Sequence, residues 1–468
     1  MNLPSSAVLV HDAEVIVTMD AKRRELVGGS VLVVDNVICA LGDRATLERR
    51  IAFDPTLKNV RRIDARGTVV LPGLINGHHH LFQTLTRSIG TARGLALFDW
   101  LKFLYPIWAR LTPEGARVSA TIGLAELVLS GATTVADHLY LYPNGVRLED
   151  TIEAAQLLGV RFHPTRGSLT LGVSQGGLPP DSLVETDAAV LADCQRLLET
   201  LHDPAPLSML RIGVSPTSPF SVAPHLMREC ARLGRSFPKV GLHTHLCETI
   251  DEERFCLARF GMHPIDFAES VEWLGDDVWF AHMVHPRADD IAKLAGTRSG
   301  ACHCPSSNMI LASGIAPVRA MRDAGVKVGL GVDGSASNDG NHLLGEARQA
   351  MLLQRVGWPG FESRADRFSA REALELATLG GAAILGRNDI GSLEPGKAAD
   401  LVAFRVDGLE CAGALHDPVA ALLTTMPGGA WLSVINGRIR VADGQLVDVE
   451  LRPVIEQHNT LSRALVAG

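Results

Sequence analysis

No Cys-x-x-Cys pair occurs in this 468-residue chain, and its eight cysteines (39, 194, 230, 247, 256, 302, 304 and 411) are scattered. Spacing of that kind argues for free thiols in a reducing cytoplasm and against a disulfide framework. No uninterrupted apolar stretch is long enough to cross a bilayer; the run from Ser119 to Ala136 carries Glu126 and several hydroxyls and glycines. The first residues, MNLPSSAVLVHDAEV, put no basic region ahead of an apolar core, so no signal peptide is expected. Basic residues are in deficit, with 44 Lys plus Arg against 52 Asp plus Glu and a net charge of −8. That average field repels a phosphate backbone and speaks against a nucleic-acid partner. Short-period repeats, low-complexity tracts and charge blocks are all missing. With 46% hydrophobic and 21% charged residues the chain is also too apolar to be disordered. These absences leave a soluble, cytoplasmic, globular protein with no membrane or nucleic-acid partner. Its length implies more than one domain, unless an α/β barrel absorbs most of it.

What is present begins with a rhythm. Short β-branched runs recur as TVVLPGLING, ATTVADHLY, GVRFHPTRG, LRIGVSPTS, KVGLHTHLCE, DVWFAHMVH, SGACHCPSS and VKVGLGVDGS. Between them lie helical patterns such as EGARVSATIGLAELVLSG, LEDTIEAAQLLG, APHLMRECARLG and PVRAMRDAG, mostly closed by glycine. Eight such strands alternating with helices predict an α/β protein, a (β/α)8 TIM barrel. The two ends read differently. AVLVHDAEVIVTMD and GGSVLVVDNVICALGD at the start, and AADLVAFRVDG and WLSVINGRIRVADGQLV at the end, alternate as β-strands. Asp35-Asn36, Asn436-Gly437 and Asp443-Gly444 are hairpin turn signals. Neither end alone has strands enough to bury a sheet face. We therefore expect one small β-sandwich domain built from both termini, residues 1–67 and 389–468, around a barrel of residues 68–388. About fifty residues separate the first two barrel strands; this aromatic insertion (Phe98, Trp100, Phe103, Tyr105, Trp108) reads as a lid or a subunit contact.

Barrel chemistry sits at the C-terminal ends of the strands. The first strand ends in His78-His79-His80, the fifth in His243-Thr244-His245 followed by Glu248, the sixth in His282 and the eighth in Asp333. His78 and His80, two apart on a strand, share a face and can reach one ion, while His79 points toward the helices. Neutral imidazoles suit Zn2+ or a similar borderline cation. His243 and His245 also share a face, with His243 one layer deeper, so His245 at the rim is the expected ligand. Three histidines and Asp333 leave room for a water, as a catalytic site requires. Cys302-His303-Cys304 has the residue types of a zinc knuckle, but strand alternation separates His303 from the two thiols, which read as small buried side chains.

PGLINGHHH, HTHLCE, FAHMVH and GLGVDGSASND resemble the amidohydrolase superfamily, in its branch of amino-purine, pyrimidine and triazine deaminases and hydrolases. The resemblance spans essentially the whole chain, including the closing TLGGAAILGRNDIGSLEPGKAADLVAF. It implies one divalent metal per chain, Zn2+ with Fe2+ as the alternative, on His78, His80, His245 and Asp333. It implies also that Glu248 and His282 handle protons, with Asp333 accepting one from the attacking water. Members with two ions bridge them by a modified lysine at the end of strand four. Here that segment is RIGVSPTSPF, and Lys239 begins strand five at the wrong end, so a binuclear site is disfavoured.

Within the branch, DHLYLYPNG, FHPTRGSL, GGLPPDS and CPSSNMILASGIAPVRAMRDAG resemble 8-oxoguanine deaminases, with hydroxydechloroatrazine-type triazine aminohydrolases, guanine and pterin deaminases as the competing readings and isocytosine-like rings as further substrates. Gln83, three residues after His80, stands where guanine-type deaminases hold the purine edge. Tyr140, Arg166 and Ser168 on strand-end loops are the other candidates for substrate hydrogen bonds, and Trp100 for a stacking wall. A surface ion pair for Arg166, lid packing for Trp100 and a barrel cap for Tyr140 are the alternatives. The expected partner is thus a small heterocyclic molecule, and analogy within the superfamily adds a homo-oligomer.

Overall fold

A computed structural model describes residues 7–356, 362–425 and 428–468; residues 1–6, part of the stretch inspected for a signal, lie outside it. Eight parallel strands close into a barrel in chain order: Leu74–Asn76, Ala132–Leu139, Arg161–Ser168, Gly213–Pro216, Leu242–Leu246, Val278–His282, Gly300–His303 and Lys327–Leu330. The ring is sealed where Leu330 pairs with Asn76. Nearly every strand residue is buried, as expected when helices cover one face and the barrel interior the other. Surrounding helices begin and end on local signals. The helix Pro113–Leu129 starts where Thr112 accepts the N–H of Gly115 and proline takes the first position. Leu148–Leu158 and Ile250–Phe260 end at Gly159 and Gly261, both left-handed at φ 64° and 68°.

Both termini build the flanking sheets. A four-stranded sheet is wholly N-terminal, in the order Val37–Gly42, Ser30–Val34, Ala7–His11, Val60–Asp64. A seven-stranded sheet is shared. Gln445–Leu446, Arg438–Ala442, Leu432–Ile435 and Leu401–Arg405 come from the end, and Thr68–Pro72, Val15–Val17 and Glu25–Val27 from the beginning. Val8, Val10, Val31, Val33 and Ile38 pack against Ile16, Val70, Leu401 and Val434 as the apolar layer between the sheets. Each of the three hairpin dipeptides is a two-residue turn: Val34 pairs with Val37, Ile435 with Arg438 and Ala442 with Gln445.

Two sequence expectations change. The TVVLPGLING run is two strands, not one. Thr68–Pro72 pairs antiparallel with Leu401–Arg405 in the shared sheet, and only Leu74–Asn76 enters the barrel. Gly73 makes the crossing, because a Cβ there would sit 2.0 Å from the Thr133 hydroxyl. The C-terminal part is not β throughout either. Leu451–Ala467 is a helix that returns to the barrel, where Arg110 donates to the Leu465 carbonyl and Ser462 to that of Leu85. No helix among the described residues is long and apolar enough to cross a membrane.

Candidate active site and metal centre

His78, His80, His245, Glu248, His282 and Asp333 converge at the C-terminal mouth of the barrel, and all six are buried. Each histidine is held at its far nitrogen. His78 Nδ1 lies 2.8 Å from His243 Nε2, and His243 Nδ1 in turn donates to the Trp279 carbonyl at 2.8 Å. His80 Nδ1 donates to the His138 carbonyl and His245 Nδ1 to that of Thr217, both at 2.7 Å. Carbonyls only accept, so the Nδ1 atoms of His80 and His245 carry hydrogens, and their Nε2 lone pairs are free. Burial keeps these rings neutral: it pushes His80 down to about 3 and His245 well below the usual histidine value.

The two Nε2 atoms nonetheless face each other at 3.0 Å. Two lone pairs at that distance repel; a cation between them satisfies both. His78 Nε2, fully buried and without a hydrogen bond, lies 3.2 Å from Asp333 Oδ1, which is 3.5 Å from His80 Nε2. Burial by itself would raise Asp333, but the imidazoles around it hold its carboxyl well below the usual range. The donor set of three imidazole nitrogens and one carboxylate oxygen fits a borderline divalent cation such as Zn2+.

Opposite stand Glu248 and His282, with Glu248 Oε2 3.6 Å from His282 Nε2. Burial pushes Glu248 up to about 7, and its Oε1 has no hydrogen-bond partner. His282 Nδ1 lies 2.9 Å from Asn308 Oδ1. Burial would lower His282, yet Glu248 and Asp333 more than offset it and raise its value. Trp279 stacks on His243 inside the barrel. Regular alternation would therefore turn His282 outward. Its left-handed backbone, φ 76°, redirects the ring to the site, and Cys247 (55°) and Asp333 (64°) are left-handed there too. Such conformations cost about 1–3 kcal/mol each and persist only where the surroundings enforce them.

These groups open on a cavity at the mouth of the barrel. Gln83, Trp100 and Tyr140 line it, with Gln83 Nε2 donating to the Tyr140 hydroxyl at 3.2 Å. The aromatic helix Leu97–Trp108 forms one wall through Leu97, Trp100, Leu101 and Tyr105. Arg166 and Ser168 do not line it. Arg166 donates to Glu185 (2.6 and 2.8 Å) and Asp193 (3.0 Å) and stacks on Tyr142, on the helix-facing side of its strand. Ser168, two residues on, shares that parity. His79 also faces outward, with Nε2 2.9 Å from Asn341 Oδ1.

Several groups at the site are not marked out by the sequence motifs. Thr217, Ser218 and Phe220, after strand four, line the cavity. Asn308 and Ser307, after strand seven, hold His282 and the Asp333 carboxylate; Ser307 donates to Oδ2 at 2.6 Å. Their position at strand ends was the available signal. His138 was also missed: it has a donor atom within 4.8 Å of those of His78, His80 and His245.

Comparison with known proteins agrees with this fold. The profile of the Amidohydrolase family matches residues 69–440. The chain is 47% identical over 409 residues to the 8-oxoguanine deaminase of Pseudomonas aeruginosa PAO1, covering 87% of this chain and 90% of that protein. It is 37% identical to the hydroxydechloroatrazine ethylaminohydrolase of Pseudomonas sp. strain ADP, covering 97% and 94%. Among solved structures, the zinc complex of atrazine chlorohydrolase TrzN from Arthrobacter aurescens TC1 superposes with a TM-score of 0.91 at 35% identity, over 97% of this chain and 100% of that one.

Proposed function

This chain belongs to the amidohydrolase family, and we propose that it is a metal-dependent hydrolytic deaminase of an amino-substituted nitrogen heterocycle, with 8-oxoguanine, converted to urate and ammonia, as its substrate. The observation that carries the reading is the pairing of three close imidazoles and one aspartate with a buried carboxyl. That carboxyl, Glu248, has a value near neutrality and a free oxygen on the cavity. His78, His80, His245 and Asp333 would hold one divalent metal, Zn2+ or alternatively Fe2+. A second ion lacks its bridging lysine: among the described residues none lines the cavity, and Lys239 lies below strand five at the opposite end of the barrel. Bound there, such a metal would supply a water acidic enough to act as a nucleophile near pH 7.

The rest is the work of side chains. Asp333, its Oδ2 fixed by Ser307, accepts the proton of the attacking water. Glu248 delivers a proton to the ring nitrogen beside the amino-bearing carbon, so that attack leaves no charge on the ring. His282, with Nδ1 committed to Asn308, turns Nε2 toward the developing tetrahedral centre. The proton held by Asp333 passes to the amine; the C–N bond breaks, ammonia leaves, and the hydroxyl on that carbon returns its proton to Glu248 as the carbonyl forms. The cavity is walled by the rings of Trp100, Tyr105, Tyr140 and Phe220, which suit the faces of a planar heterocycle. Gln83 and Tyr140 offer hydrogen bonds at its edge, and identity to the Pseudomonas aeruginosa deaminase favours the oxidised purine.

Triazine aminohydrolysis is the second reading, favoured by the apolar wall of Leu97, Trp100, Leu101, Phe220 and Leu311, which would receive alkyl substituents. One assay separates the two. Ammonia release is measured as kcat/KM over 8-oxoguanine, guanine, a pterin, isocytosine and a hydroxytriazine, beside metal analysis. We expect 8-oxoguanine to rank first, one metal per chain, and activity lost on chelation and restored by Zn2+. A triazine, guanine or a pterin ranking first refutes the substrate, and two tightly bound ions refute the single-metal site.

A further inference from the structure

Three helices of this chain carry an acidic residue at their third position that folds back onto the amide just ahead of the helix. Asp150 accepts the N–H of Arg147 at 2.7 Å, Asp290 that of Arg287 at 2.9 Å, and Glu372 that of Ser369 at 2.8 Å. This is the acidic half of a capping box, complete only at Ser369, whose hydroxyl accepts the Glu372 N–H. The helix Ile250–Phe260 has the same sequence signal, Thr249 followed three residues later by Glu252, and Thr249 accepts the Glu252 N–H. Glu252 does something else. Its Oε1 accepts the N–H of Cys247 at 2.8 Å and its Oε2 that of Glu248 at 3.0 Å. Both oxygens are spent one and two residues beyond the capping position, on the backbone of the residue whose side chain faces His282.

The other side of that backbone is held as well. The Cys247 carbonyl accepts the N–H groups of Val284 at 2.8 Å and His285 at 2.9 Å, just after His282. The turn at Cys247–Glu248 lies past the end of its strand, and Cys247 is left-handed at φ 55°. A β-ladder does not hold it there. Glu252 is 0% exposed.

We propose that Glu252 is a positioning residue for proton transfer, clamping the Cys247–Glu248 backbone so that Glu248 and His282 keep their 3.6 Å approach. The proposal rests on the reading of Glu248 as the proton donor. Gln at 252 offers one oxygen and one NH2 to two amide donors, so one hydrogen bond becomes a clash of hydrogens. Asp at 252 is one methylene too short to reach both.

The test compares wild type, E252Q and E252D in the metal-loaded enzyme, by ammonia release and by hydrogen exchange of the peptide covering 246–249. We expect kcat to fall about 10- to 100-fold in both variants, a size usual for groups that orient a reacting side chain. KM and metal content should hold, and the 246–249 amides should exchange faster. Wild-type kcat and wild-type exchange in either variant overturn the clamp. So do Cys247 and Glu248 amides that exchange like an open loop in the wild type, a measurement that needs no variant to fold. A wild type without ammonia release refutes the deaminase reading instead, and the exchange comparison still decides the clamp.

Discussion

Glu248 and Asn308 show what single residues contribute to this site. Glu248 is buried, near neutrality and unpaired at Oε1, so its replacement by Gln keeps the shape and removes the proton. We expect E248Q to lower kcat by about 10²–10⁴, the usual worth of a general acid, with the metal retained; near-normal turnover would refute its role. Asn308 meets His282 through its Oδ1, at the ring nitrogen away from Glu248. For N308A we expect a loss of about 10- to 100-fold in kcat, as for other groups that orient a reacting imidazole, with Glu248 and the metal intact. Steady-state kinetics on purified protein would show no change if the amide were mere packing. Much of this was legible in the residues: paired histidines at a strand end share a face by simple alternation. His282 was legible as a rim histidine but not in its orientation, which depends on a left-handed φ that no pattern displays. Arg166 misled for a related reason. A charged residue at a strand end looks like a substrate contact, yet Glu185 and Asp193 reach it from the helix side.

At the scale of elements, the TLGG segment shows how closely the outer layer approaches the barrel. A Cβ on Gly381 would lie 2.6 Å from that of Ile75, on the first barrel strand. The helical φ there, −57°, suits any residue, so the glycine serves proximity rather than conformation. We expect G381A to cost about 1–3 kcal/mol in urea denaturation, the range for overpacking; neutrality would mean the helix can shift outward. The C-terminal helix is held by His458, whose Nε2 lies 2.9 Å from the Thr84 hydroxyl. Burial pushes His458 down to about 4. Between its ordinary value of 6.5 and 4 the unfolded chain binds more protons than the folded one, so stability falls as pH drops through that window. Wild-type Tm should therefore decline more steeply than that of H458Q from pH 6.5 to 4, with the curves parallel above pH 7. That helix was illegible in the sequence because the turn signals before it continue a β rhythm, and only docking on the barrel gives it a buried face.

Across the whole molecule, the barrel floor and the two-ended domain meet at a buried ion pair. Arg161, fully buried, donates to both oxygens of Asp400 at 2.9 and 3.1 Å and to the carbonyls of Leu207 and Ser208 at 2.7 Å. Asp400 also accepts the Asn436 N–H. Truncating one partner strands the other charge, so D400A should cost about 3–5 kcal/mol by chemical denaturation. The apolar double variant R161M/D400L should lose less; an equal loss would assign the effect to packing. The rhythm of eight strands announced the barrel, but which strands of the two termini would be neighbours is a matter of long-range pairing that local patterns do not encode. That pairing sets a timetable for synthesis. Thr68–Pro72 is an inner strand only once Leu401–Arg405 lies beside it. At about 5–20 residues per second, roughly 20–60 s of translation separate the two. Throughout that interval the nascent chain carries an unpaired hydrophobic edge beside a barrel still being made, the kind of surface on which chaperones act. The active site can therefore be complete, with Asp333 already synthesised, before the sheet that anchors it is closed.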